Sequence, residues 1–116
     1  MNIEEFKEMC LSFPHATEDV KWGKDLCFLV GGKMFAAAGL NEPAGKFSFK
    51  CTPEKFAELV ERPGIIPAPY VARYHWIAID EPNALRDEEI EDLISRSYLL
   101  VFENLPLAER RRLGKP

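Results

Sequence analysis

Residues 25–38 read D-L-C-F-L-V-G-G-K-M-F-A-A-A, and the fold is decided by how they are read. An extended run reaches Val30, the pair Gly31-Gly32 follows, and a second run starts at Lys33. A two-residue type I′ connection needs positive φ at both central positions, which glycine adopts without steric cost. The stretch therefore predicts a β-hairpin, with Asp25–Val30 paired to Lys33–Ala38. On its N-terminal side Thr17 to Trp22 alternates, Val20 and Trp22 to one side and Asp19 and Lys21 to the other, and Gly23 turns the chain into the hairpin. On its C-terminal side the loop G-L-N-E-P-A-G leads into Lys46–Cys51, where Phe47, Phe49 and Cys51 face inward and Ser48 and Lys50 outward. Four strands in a meander are expected.

Helices flank this meander. Asn2 and Glu5 have the spacing of a capping box, Ile3, Phe6, Met9, Cys10 and Phe13 repeat at helical period, and Pro14 stops the run. Thr52-Pro53 supplies an N-cap and first-turn proline for a second helix with Phe56, Leu59 and Val60 as its stripe. It ends at Pro63-Gly64. The chain then reads R-P-G-I-I-P-A-P-Y-V-A-R-Y-H-W, residues 62–76. Pro67 and Pro69 bias their predecessors away from helix. This is a stiff, extended crossing with Ile65 and Ile66 as buried plugs, and it delivers Tyr70 and Arg73 to a last strand, Trp76–Asp80. Asp87, Glu88 and Glu89 suit the positive end of a helix dipole. The long helix behind them carries Ile90, Leu93, Ile94, Tyr98, Val101 and Leu105 on one face, with the Tyr98 hydroxyl satisfied at the core rim. Arg110 to Arg112 read as a solvated C-terminal turn.

The resulting order predicts an α+β, two-layer domain spanning residues 1–116, an antiparallel sheet of about five strands with helices on one face. The other sheet face is then open. Leu29 or Cys27, Phe35, Ala37, and Trp76 or Ile77 partly occupy it, and a face carrying an aromatic and several lysines is a candidate contact surface.

Composition narrows the function classes. The 116 residues are 47% apolar with a net charge of −4, so a core forms without staples and the overall charge does not advertise nucleic acid. Cys10, Cys27 and Cys51 are scattered and lack C-x-x-C spacing, which predicts buried, reduced thiols and no zinc site. No signal-like or membrane-length apolar run occurs, so a cytoplasmic protein without membrane association is expected.

Motifs for catalysis are missing. Gly39 to Lys46 resembles a phosphate loop only superficially: the glycine spacing is wrong, Phe47 stands where Ser or Thr would hold magnesium, and a strand follows instead of a helix. It reads as a hairpin loop. His15 and His75, the only histidines, lack acidic or cysteine neighbours at ligand spacing. Glu4, Glu5 and Glu8, and Asp87, Glu88 and Glu91, form acidic helix ridges that attract hard cations or simply face solvent. The remaining constellation interleaves cations with aromatics: Lys21, Trp22, Lys24, Lys33, Lys50, Tyr70, Arg73, Tyr74 and Trp76. Such residues neutralise phosphates and stack on bases. The plainer alternative is two buried tryptophans and lysines that keep the sheet soluble.

The linked runs C-L-S-F-P-H-A-T-E-D-V-K-W-G (10–23), D-L-C-F-L-V-G-G-K-M-F-A (25–36), S-F-K-C-T-P-E-K-F (48–56), P-G-I-I-P-A-P-Y (63–70), W-I-A-I-D (76–80) and S-Y-L-L-V (97–101) resemble the bacterial MmcQ/YjbR family. The resemblance implies a CyaY/frataxin-like fold and a DNA-binding, double-wing arrangement in which β-hairpins are the wings. On this chain the pattern positions fall on Lys21, Trp22 and Gly23, on Lys50, on Pro67 to Tyr70 and on Trp76. The expectation is a non-enzymatic DNA-binding domain without cofactor or metal, monomeric, that contacts DNA through Lys21, Trp22, Lys24, Lys33, Lys50, Tyr70, Arg73 and Trp76. The alternative is a protein-interaction or metal-binding module on a frataxin-like fold.

Overall fold

The computed structural model describes residues 1–40 and 46–116. Helix α1 (Ile3–Ser12) leads into strands β1 (Thr17–Lys21), β2 (Asp25–Val30), β3 (Lys33–Gly39) and β4 (Phe47–Lys50). Helix α2 (Pro53–Leu59), strand β5 (Ile65–Pro67), a 3₁₀ turn at Ala72–Tyr74 and strand β6 (Trp76–Ile79) follow, then helices α3 (Asp87–Glu103) and α4 (Leu107–Leu113). The sheet is open, antiparallel and six-stranded in the order β1-β2-β3-β4-β6-β5.

The expected meander forms around Gly31 and Gly32, whose φ values of 58° and 78° are the positive pair that a type I′ turn requires. Residues 41–45 of the loop between β3 and β4 lie outside the described residues. On its flanks the Gly39 amide donates to the Lys46 carbonyl at 3.0 Å. The caps also form as read. The Glu5 amide donates to the Asn2 side chain at 2.8 Å and the Asn2 amide to the Glu5 carboxylate at 3.1 Å. The Thr52 hydroxyl accepts from the Lys55 amide at 3.2 Å.

Three expectations change. The proline crossing contains a sixth strand: Ile65, Ile66 and Pro67 pair with Ile79, Ala78 and Ile77. An edge strand tolerates proline because no outer neighbour needs its missing donor. Phe35 moves from the open face to the core, where it is fully buried. The cause is a β-bulge. Phe28 pairs with Ala36 but Leu29 pairs with Met34, so Phe35 is the unpaired extra residue and side-chain parity flips along β3. Finally, the last helix breaks after Glu103, since Pro106 cannot continue the backbone hydrogen-bond ladder. Leu105 packs instead against the Gly31 turn, and Arg110 to Arg112 sit in α4, not in a terminal turn.

The core lies between the sheet and the helices. Phe6 of α1 stacks on Phe47 at 4.1 Å and meets Phe28 edge-on at 5.9 Å. Tyr98 of α3 stacks on Phe13 at 4.8 Å, and its hydroxyl donates to the Pro14 carbonyl at 2.6 Å, satisfying it at the core rim as expected. Ser97, buried and polar, shares its one hydroxyl proton between the carbonyls of Lys50 and Leu93. Cys10, Cys27 and Cys51 are buried and unpaired, and burial pushes the thiols of Cys10 and Cys51 up to about 12.

The segment after α2 is tied to the start of α3 by Arg62. Its guanidinium donates to Glu89 at 2.7 Å and to the Ala84 carbonyl at 2.9 Å. The Arg62 hydrogen bond, and then the Arg86 amide, hold the Glu89 carboxyl down at about 2, against an ordinary value of 4.5. A depressed folded-state value gives stability that is present above the ordinary value and lost as pH falls toward the folded one. Urea midpoints followed from neutrality down to about pH 2 should therefore decline below about pH 4.5 in the wild type. Glu89→Gln should flatten that part of the decline and start from a lower neutral-pH midpoint.

Candidate nucleic-acid interface

The face away from the helices is apolar at its centre. Ala68, Trp76 and Ala78 are buried there, with Met34, Ala37, Ile66 and Val71 packed against them. Cys27 pairs with Ala37 and Leu29 with Met34 across the ladder, so β2 contributes both residues to the same face. Between the expected alternatives, Trp76 takes the open face and Ile77 the core.

Two turns frame this face, and each places an aromatic where glycine or asparagine is the low-strain choice. In the turn between β1 and β2 the Lys24 amide donates to the Lys21 carbonyl at 3.2 Å. Its central residues, Trp22 and Gly23, have φ of 57° and 66°. A bulky residue with positive φ crowds its Cβ against the backbone at a cost of about 1–2 kcal/mol. Trp22 is nevertheless 71% exposed. In the proline crossing the Val71 amide faces the Ala68 carbonyl at 3.4 Å across Pro69-Tyr70. Proline followed by positive φ is the pattern of a type II turn, in which glycine normally takes the second central position. Here that residue is Tyr70, with φ of 70° and 96% exposure.

Between these turns runs an open groove of about 560 Å³. Lys21, Lys33 and Lys50 line it together with Trp22, Tyr74 and Trp76, and the end of α3 contributes Asn104. Among the described residues lining it there is no carboxylate. Lys50 is oriented by Tyr74, since its ammonium donates to the Tyr74 carbonyl at 3.1 Å and lies 6.0 Å from the ring centre. Arg73 stacks on the same ring at 4.8 Å, a cation–π contact. Lys21 lies 3.7 Å from Asp19, an exposed pair that water screens. Lys33 makes no ion pair among the described residues.

Five of the eight residues singled out from sequence thus meet in one groove: Lys21, Trp22, Lys33, Lys50 and Trp76. Lys24, Tyr70 and Arg73 are not among its lining residues; Tyr70 and Arg73 are the chain neighbours of Val71 and Tyr74, which are, whereas Lys24 stands two residues past Trp22. The two tryptophans divide. Trp76 is 5% exposed and packs into the sheet face, whereas Trp22 stands in solvent. Sequence reasoning passed over Asn104, because nothing in the pattern of α3 says that its end reaches the β2–β3 turn.

The acidic ridges are partly engaged in structure. Glu5 caps α1, Asp87 pairs with the Met1 ammonium at 2.9 Å, and Lys7 stands among Glu4 and Glu8 while pairing with Glu18 at 3.6 Å. Among the described residues no group of three or more His, Cys, Asp or Glu side chains is placed to hold a metal ion. His15 bonds the Lys115 carbonyl at 3.0 Å, and His75 meets Phe56 edge-on at 5.6 Å. No described helix is long and apolar enough to cross a membrane.

Known proteins share this architecture. The Deinococcus radiodurans protein DR2400, described as a DUF419 domain, superposes with a TM-score of 0.90 at 28% identity, covering 99% of this chain and 89% of that one. A Pseudomonas syringae protein superposes with a TM-score of 0.70 at 25% identity, covering 87% of this chain and 99% of that one. No curated protein matches the sequence. The YjbR family model matches residues 11–100, which include α1's C-terminal end, the whole sheet, both aromatic turns and most of α3, and the chain belongs to the YjbR family.

Proposed function

We propose that the protein is a non-enzymatic DNA-binding module whose lysine groove seats the phosphate backbone. One observation carries the reading: on a chain of net charge −4, three lysines converge in a groove with no carboxylate among its described lining residues. A local positive field of this kind attracts a polyanion even when the overall charge is negative. The hairpin turns at Trp22-Gly23 and Gly31-Gly32 project beside the groove as the two wings. Lys24 and Arg73 extend the cationic surface beyond its ends. The groove's described lining also lacks histidine and cysteine, which favours binding over chemistry. The protein works as a monomer in the cytoplasm.

A labelled DNA of mixed sequence, offered in duplex and in unpaired form across a salt series, tests this. Affinity should fall steeply with salt, because each phosphate contact releases condensed counterions. Each lysine removed from the set Lys21, Lys33 and Lys50 should lower the log–log slope by about 0.7–0.9. Absence of binding to either form at low salt contradicts the reading. The protein-partner alternative draws on the apolar centre of the same face, but Ala68, Trp76 and Ala78 are already buried by their own neighbours.

A further inference from the structure

Trp22 and Tyr70 are solvent-exposed rings with no aromatic or cation–π partner among the described residues. Tyr74 differs, since Arg73 and Lys50 already approach its ring. Both free rings sit on left-handed backbone, in turns of unrelated sequence and at opposite ends of the chain's β region. Strain of this kind persists where the surroundings enforce it, and it concentrates at binding sites. Each of the two turns thus displays a free ring that lines the cationic groove itself or stands next to a residue that does.

We propose that the groove takes an unpaired nucleic-acid strand, with base faces stacked on Trp22 and Tyr70 and phosphates on Lys33 and Lys50. The inference rests on the nucleic-acid reading above and names the form of the ligand. A duplex buries its base faces in its own stack and offers outsiders only edges. An unpaired strand offers whole faces, and a flat exposed ring beside a lysine matches the alternation of base and phosphate along it. Trp22 directly follows Lys21 and stands two residues before Lys24 in the chain, and Tyr70 adjoins Val71, which lines the groove. Stacking of this type tolerates any sequence, because every base has a π-face.

Fluorescence anisotropy with one labelled mixed-sequence DNA strand, its RNA counterpart and the DNA annealed to its complement tests the inference at a single low salt concentration. The DNA or the RNA strand should bind at least about tenfold tighter than the duplex, and the better of the two identifies the sugar preferred. Trp22→Asn and Tyr70→Asn should each weaken strand binding about tenfold, yet melt no lower than the wild type, since asparagine accepts positive φ more readily. Trp22→Phe should keep most of the affinity. Strand binding unchanged in both Asn variants, or a duplex bound more tightly than either strand, overturns this inference while leaving the lysine groove as a DNA site. No binding of strand or duplex overturns both.

Discussion

Phe6→Ala is expected to cost about 3–5 kcal/mol of folding stability, the range for deleting a buried aromatic ring from a core. The ring is fully buried, stacked on Phe47 and edge-on to Phe28, and it joins α1 to β2 and β4. Its removal forfeits the transfer free energy of the ring and leaves a cavity between a helix and a sheet that cannot close without shifting both. A domain of this size holds only about 5–15 kcal/mol in total. Denaturant unfolding should therefore show a midpoint far below the wild type with the slope unchanged. A loss under about 1 kcal/mol would mean that α1 packs loosely and that the Phe6–Phe47 stack is not part of the core.

Gly64→Ala is the second large effect, expected at about 2–4 kcal/mol from two causes acting together. The residue has φ of 85°, which disfavours any Cβ. A Cβ built there would also lie 2.9 Å from the β-carbons of both Ala84 and Glu81, atoms that cannot swing away without moving backbone. Gly64 matters further because its carbonyl accepts from the Asp80 amide at 2.8 Å and the Glu81 amide at 3.2 Å, fixing where β5 meets the end of β6. Urea midpoints give the loss directly. Gly31→Ala makes a useful contrast. Its φ is also positive, but the atoms nearest its added Cβ, at 2.6–3.4 Å, belong to the Leu105 side chain, whose end can rotate aside, so the milder loss should come mainly from backbone strain.

Much of this architecture is legible in the sequence because local chemistry and tertiary packing agree. Gly31-Gly32, the Asn2 and Thr52 caps, and the inward set Phe47, Phe49 and Cys51 all fall as patterned. Misreadings occur where one residue breaks a period. The bulge at Phe35 shifts parity by one, and no propensity distinguishes a bulged alanine-rich strand from a regular one. Ile65 to Pro67 carry a proline, which argues against a central strand but not against an edge. Pro106 was hidden by the continuing apolar stripe through Leu105.

The candidate site is legible in kind and less so in depth. Lysines flanking Trp22 and the Pro-Ala-Pro-Tyr block both mark it, yet nothing in the two tryptophans says that one is buried at 5% and the other 71% exposed. That distinction follows from position. Trp76 lies on an interior strand between β4 and β5, whereas Trp22 sits at the tip of a turn beside the edge strand β1. The left-handed backbone under Trp22 and Tyr70 is invisible in sequence for a different reason. Turn rules assign glycine to such positions, and here aromatics occupy them at a cost.

The most direct test of the lysine groove is an amide and indole NMR titration of the intact chain with unlabelled nucleic acid at low salt. Saturable shifts confined to the Trp22 indole and the amides of Lys21, Lys33, Lys50 and Tyr70 to Tyr74, with α1 and the helix-covered side of the sheet unmoved, are predicted. Shifts centred on Glu4, Lys7 and Glu8 of α1 instead, or no saturable shift anywhere, would contradict the assignment of the groove as the binding surface.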